Sequence, residues 1–131
     1  MKLKLLAAAV VVVYGFVSRA EEPYHFIKEI SAGGEGGWDY CSVDSAAKRL
    51  YVSHGNQVVV IDLAQDRVVG NITNTPGVHG LAPAPALGRG FVSCGRENKA
   101  AIVDLKTLEI ISKVDTGVNP DGMLFEPGQG E

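Results

Sequence analysis

The chain has 131 residues, and its 12 basic and 15 acidic side chains give a formal net charge of −3. That acidic balance leaves no basic patch, so a nucleic-acid partner has no electrostatic support. The two cysteines, Cys41 and Cys94, form neither a paired zinc pattern nor a haem-attachment motif.

The N-terminus reads as a targeting segment. Lys2 and Lys4 precede an apolar run from Leu5 to Val17, and Ser18-Arg19-Ala20 places small residues where a signal peptidase needs them. A membrane span takes about 20 apolar residues, so this run is short for an anchor. The expectation is a signal peptide over residues 1–20, cleaved after Ala20, and no membrane span in the mature chain. The mature part, residues 21–131, loses Lys2, Lys4 and Arg19 and becomes more acidic.

Past residue 20 the chain reads as short β-type runs separated by Gly, Asn, Asp and Pro clusters. A lone strand is expected over 24–30, centred on Phe26 to Ile30. Gly33-Gly34-Glu35-Gly36-Gly37 follows. It lacks the Lys-Ser/Thr ending and the helix of a phosphate loop, so it reads as a flexible connection. Residues 37–72 then hold four strands: Asp39 to Asp44, Leu50 to Ser53, Gln57 to Leu63 and Arg67 to Ile72. Val58-Val59-Val60-Ile61 is apolar without alternation, as in a strand covered on both faces. The fourth strand carries Asn71 and reads as an outer edge.

Residues 77–114 repeat this unit. Tyr51-Val52-Ser53 is matched by Phe91-Val92-Ser93 at a spacing of 40, and Ile61-Asp62-Leu63 by Val103-Asp104-Leu105 at a spacing of 42. The offset changes where His54-Gly55-Asn56-Gln57 is answered by the longer Cys94 to Lys99 segment. Phe26 to Ile30 also matches Val68 to Ile72, 42 residues on. A third unit opens at Gly117, continues through a strand at Met123 to Pro127, and stops at Glu131. A period near 40 built from strands is the signature of propeller blades. One blade cannot bury its own faces, so its neighbours must. The fold class is therefore all-β, a partial β-propeller of four-stranded antiparallel blades behind a signal peptide. Propellers have about four to eight blades. Either the missing blades follow in a longer product or several copies complete a ring, and a cut inside a unit favours the former.

The repeat register nominates one site. Asp39, His79 and Asp121 occupy equivalent places at the start of the innermost strand in three consecutive units. They are expected side by side at one mouth of the central channel. There they can hold a cation, orient a polar ligand or share protons. The plainer alternative is that they cap strand starts and bind channel water. A metal site needs a further ligand from elsewhere, so no metal site and no catalytic set is assigned.

Other residues carry less. Cys41 falls where its neighbours have Leu81 and Met123, a core position, while Cys94 reads as a free loop thiol. A disulfide between such different places would not meet the required Cα spacing. Trp38 is expected to pack between inner strands, the alternative being part of a ligand platform. His54 reads as an exposed turn residue, His25 has no partner at metal-binding spacing, and Asp62 and Asp104 read as turn formers.

Arg49-Leu50-Tyr51-Val52-Ser53, Val59-Val60-Ile61-Asp62-Leu63, Val78-His79-Gly80-Leu81-Ala82 and Asn119-Pro120-Asp121 together resemble the YVTN-type β-propeller repeat family, the YncE-like exported bacterial proteins. The resemblance covers nearly all of Tyr24 to Glu131. It implies a longer ring of seven blades and export to the periplasm or cell surface, and it supplies no catalytic residues. Fold alone does not fix function. The reading is a ligand- or protein-binding scaffold, its partner an unknown protein or small molecule. The alternative is part of a lactonase-like, or metal- or redox-cofactor dehydrogenase-like, propeller enzyme. No cofactor is named by the sequence.

Overall fold

The structure, a computed structural model, describes residues 24–128. Eight strands follow one another: β1 (Trp38–Asp44), β2 (Arg49–His54), β3 (Gln57–Asp62), β4 (Arg67–Ile72), β5 (Val78–Ala84), β6 (Arg89–Cys94), β7 (Lys99–Asp104) and β8 (Ile110–Asp115). They form two four-stranded sheets in the orders β1-β2-β3-β4 and β5-β6-β7-β8. Every pairing is antiparallel. The only helical pieces among the described residues are single 3-10 turns at Pro85–Leu87 and Gly95–Glu97. No helix among them is long and apolar enough to cross a membrane. The fold is all-β, a partial propeller of two blades. The expected signal peptide lies outside the described residues.

Turn chemistry explains the short links. Asp62 Oδ1 accepts hydrogen bonds from the Ala64 and Gln65 amides at 2.8 and 2.9 Å. Asp104 Oδ1 does the same for Lys106 and Thr107 at 2.8 and 3.0 Å. Both are Asx-type turn formers, and the two amides, with Arg89 beside them, hold the Asp104 carboxyl below its usual range.

Pairing decides which side chains face the second blade. Tyr51 lies opposite Ser42 and Val60, and Val58 lies opposite Ser53 and Ile72, so these share one face of the first sheet. Leu81, Val92 and Ala101 lie in line across β5, β6 and β7 on the facing side of the second. Tyr51, Val58, Val60 and Ile72 meet Val78, Leu81, Val92, Cys94, Ala101, Val103 and Leu105 in one buried cluster. Full burial of a valine- or leucine-sized side chain contributes about 1.5–3 kcal/mol, so this inter-blade layer is the chief stabilising feature. Val58, Val59, Val60 and Ile61 are all buried, as expected for a strand covered on both faces.

Several expectations are corrected. Residues 24–30 form no strand, and Phe26 and Ile27 are exposed. A fourth-type strand needs a ladder partner, and this segment has none among the described residues. It touches the first blade through Lys28, which pairs with Asp66 at 2.6 Å. Met123 to Pro127 likewise forms no ladder, although Phe125 stacks on Phe91 with ring centroids 6.0 Å apart. The two cysteines exchange environments: Cys41 is exposed and Cys94 is buried, and neither is in a disulfide. Cys41 is paired with Val52, on the face turned away from the second blade, whereas its equivalent Leu81 faces the first. Cys94 closes β6 rather than sitting in a loop, and it joins the core. Burial raises its thiol pKa, so it behaves as a small hydrophobe.

Candidate functional site

The site begins with an irregularity in the innermost strand of each blade. The β1–β2 register slips between Trp38 and Cys41, and the β5–β6 register slips between Val78 and Leu81. Such β-bulges re-aim side chains at sheet rims. Asp39 lies in the first bulge and His79 in the second. The two innermost strands start side by side, so the bulged residues meet: His79 Nδ1–H donates to Asp39 Oδ2 at 2.8 Å.

A third unit joins from the chain beyond β8. His79 Nε2 lies 3.4 Å from Asn119 Oδ1, a long and weak contact. Asp121 reaches the imidazole only through its charge. Three consecutive repeats thus converge on His79. The structure puts Asp39 against His79, while Asp121 makes no hydrogen bond to either, and the polar partner nearest the other ring nitrogen is Asn119, which the register does not single out. The Asn119-Pro120-Asp121 string was the available signal, and only distances separate the two candidates.

Both imidazole nitrogens face oxygen atoms, which suits the doubly protonated ring. The Asp39 hydrogen bond above all raises the His79 pKa above its ordinary value; desolvation, the next largest effect, opposes it, and Asn119 and the charges of Asp121 and Asp39 add to the rise. The ring is thus biased toward its doubly protonated form, bonded to the Asp39 carboxylate with Asp121 acting through its charge. Its nitrogens are spent on protein partners, so it is a poor metal ligand in this arrangement. Among the described residues, no group of three or more His, Cys, Asp or Glu side chains is placed to hold a metal ion.

The bottom of the site is closed by Gly95. A Cβ there would lie 2.5 Å from Asn119 Oδ1 and 2.8 Å from His79 Nε2. Gly95 N–H donates to Gly77 O at 3.0 Å, as Gly55 N–H does to Gly37 O at 3.1 Å. A repeated asparagine clasp fixes each blade mouth. Asn56 accepts Thr75 N–H on its backbone oxygen at 3.1 Å and Gly77 N–H on its side chain at 3.2 Å. Asn98 accepts Thr116 N–H at 2.9 Å and Asn119 N–H at 2.9 Å in the same two ways. The second clasp is what delivers Asn119 to His79.

His54 departs from expectation. It is buried, its Nδ1–H donates to Gly37 O at 3.0 Å, and Trp38 stacks on it at 3.9 Å and 17°. It ends β2 at the place where β6 has Cys94, so strand geometry and not a loop governs it. Trp38 is therefore a cover for His54, partly exposed, and not an inter-strand core residue. The glycine stretch crosses the same ring: a Cβ on Gly34 would lie 2.7 Å from His54 Nε2.

Comparison with known proteins supports the fold. The chain resembles the solved structure of Citrobacter koseri AztD with a TM-score of 0.61 and 17% identity, covering 73% of this chain and 28% of that one. The apo form of Citrobacter koseri AztD gives 0.59 and 16%, covering 68% and 26%. Kuenenia stuttgartiensis hydrazine synthase gives 0.58 and 20%, covering 61% and 23%. At these identities the likeness shows a propeller-type fold and nothing more. The chain spans about a quarter of the length of these structures. No protein-family profile and no curated protein sequence matches it.

Proposed function

We propose that this chain is part of an exported propeller-type binding module, and that its channel mouth receives a small polar ligand or a protein side chain at Asp39, His79 and Asp121. The observation that carries this reading is the convergence of three successive repeats on one imidazole, with the Asp39 hydrogen bond at 2.8 Å. The His79 Nε2 edge, held only by the long 3.4 Å Asn119 contact, offers a donor a ligand can take over, while the carboxylate oxygens of Asp39 and Asp121 not bonded to the ring offer acceptors. A ligand bearing both an acceptor and a cationic or hydroxyl group matches that set. The lysine-flanked apolar N-terminus supports export, to the periplasm or the cell surface, and the repeat motifs support a YVTN-like ancestry. Further blades, from a longer chain, would complete the ring around the mouth.

The test is an NMR titration of the His79 ring in the full chain with divalent cations, free amino acids and simple sugars. Saturable shifts at the His79 ring that vanish in Asp39→Ala, together with shifts at the adjacent Gly95 and Asn119 backbone amides that vanish in both Asp39→Ala and His79→Ala, support the reading. A panel that leaves the ring unmoved, or responses that survive both substitutions, would overturn it.

A further inference from the structure

The opposite ends of the same strands hold a second polar place. A cleft of about 510 Å³ opens between the blades at the β1–β2 and β5–β6 turns, lined among others by Asp44, Arg49, Tyr51, Arg89, Asp104 and Lys106. Its charges are unequally satisfied. Asp104 is spent on the Lys106 and Thr107 amides and on Arg89 Nη1 at 3.0 Å. Asp44 accepts the Ala47 amide at 3.0 Å.

Arg49 is different from its repeat equivalent, Arg89. Arg89 pairs with Asp104, the residue opposite it in the ladder. Arg49 has Asp62 opposite it in the same register but does not bond to it. Its Nη1 instead crosses the blade gap to the Leu105 carbonyl at 2.5 Å. No carboxylate lies within ion-pair distance of Arg49 among the described residues. Beside it stands Tyr51, 1% exposed, whose hydroxyl lies against the Arg49 side chain but makes no hydrogen bond of good geometry and has no acceptor for its own proton. A buried polar group without a partner is rare and asks for a reason.

We propose that this inter-blade cleft is a binding site for a small oxyanion, a short-chain carboxylate or inorganic phosphate, held by the free donors of the Arg49 guanidinium, with the Tyr51 hydroxyl as a further donor and Lys106 at the rim. A guanidinium matches an oxyanion with two parallel N–H donors. The anion neutralises the unpaired charge of Arg49 and gives the buried hydroxyl the acceptor it lacks. Asp44, opposite Arg49 in the β1–β2 ladder, and Asp104 crowd the cleft with negative charge and limit it to a small anion.

The experiment follows the Arg49 side-chain NMR signals in the full chain during titration with sodium acetate and, separately, sodium phosphate, at ionic strength held constant with chloride. Saturable shifts with acetate alone identify a carboxylate site, with phosphate alone a phosphate site, and with both a general oxyanion site. Affinity is then read from the backbone amides of the cleft for the variants. Arg49→Gln should weaken binding by about tenfold or more, the loss of one charge-assisted pair. Tyr51→Phe, which keeps the packing, should weaken it by about threefold. Arg49→Lys keeps the charge without the fork and should fall between wild type and Arg49→Gln. No saturable response to either anion, or a wild-type affinity in both Arg49 variants, would overturn the proposal.

Discussion

The His79 imidazole ties three repeats together. Because the folded-state pKa lies above the ordinary value near 6.5, this group stabilises the fold fully below that ordinary value. The contribution is lost as pH rises through the raised folded value. Stability measured by urea unfolding should therefore fall between those two pH values. In Asp39→Ala the His79 pKa should return toward the ordinary range and this stretch of pH dependence should flatten. Side-chain NMR of His79 checks the first outcome, and denaturation at several pH values the second. Gly95→Ala tests the same contact from below. Its new Cβ must displace Asn119 and the ring edge, both movable side-chain ends, so its stability cost should stay under about 1 kcal/mol. The His79 pKa should move down while the Asp39 bond persists.

At the scale of elements, the two sheets meet as strand faces whose fit is set by volume. Gly90 on β6 stands where β2 has Leu50, and a Cβ there would approach Val103 Cγ2 to 2.9 Å and Leu105 Cδ2 to 3.0 Å. Gly90→Ala should overpack this layer and destabilise by about 1–3 kcal/mol. Val60→Ala in the middle of β3 should cost about 2 kcal/mol through lost burial and the space left behind. Thermal or chemical unfolding of the full chain reads both. Asn98→Ala removes the side-chain acceptor of the Asn119 amide without touching His79 directly. It should loosen the third unit and weaken the Asn119 contact, visible as faster amide exchange at Asn119.

On the scale of the whole molecule, the face between the blades is dry, while the two outward faces are open at several apolar positions although Val59 and Ile61 stay buried on the first. Ile72 is fully buried between the blades, while its equivalent Val114 is 49% exposed on the far side of the second sheet. Val43 is 53% exposed on the far side of the first. The two open faces carry repeat-equivalent residues to the faces already joined, so copies can stack head to tail by the contact that joins the blades. The purified chain should self-associate with rising concentration in sedimentation experiments. Val43→Lys combined with Val114→Lys should shift it toward monomer, since a charge on each face opposes desolvation. A monomer at all concentrations would count against open apolar faces as the reason.

The residues by themselves determined the all-β class, four strands to a unit and the common place of Asp39 and His79, because strand period and repeat period are local properties written in side-chain order. The apolar run at Val58 to Ile61 is legible for the same reason, since double-sided burial leaves no polar position. What only the tertiary structure decided is which equivalent positions are covered. Cys41 and Leu81 share a register yet differ in burial, because coverage depends on a neighbouring blade and not on the residue. His54 took its place against Trp38 and Gly37, and Asn119 in front of Asp121, because bulges and clasps set side-chain direction over distances that spacing along the chain does not encode. The diversion of Arg49 to a carbonyl of the next blade belongs to the same class, a contact between units that no single repeat contains.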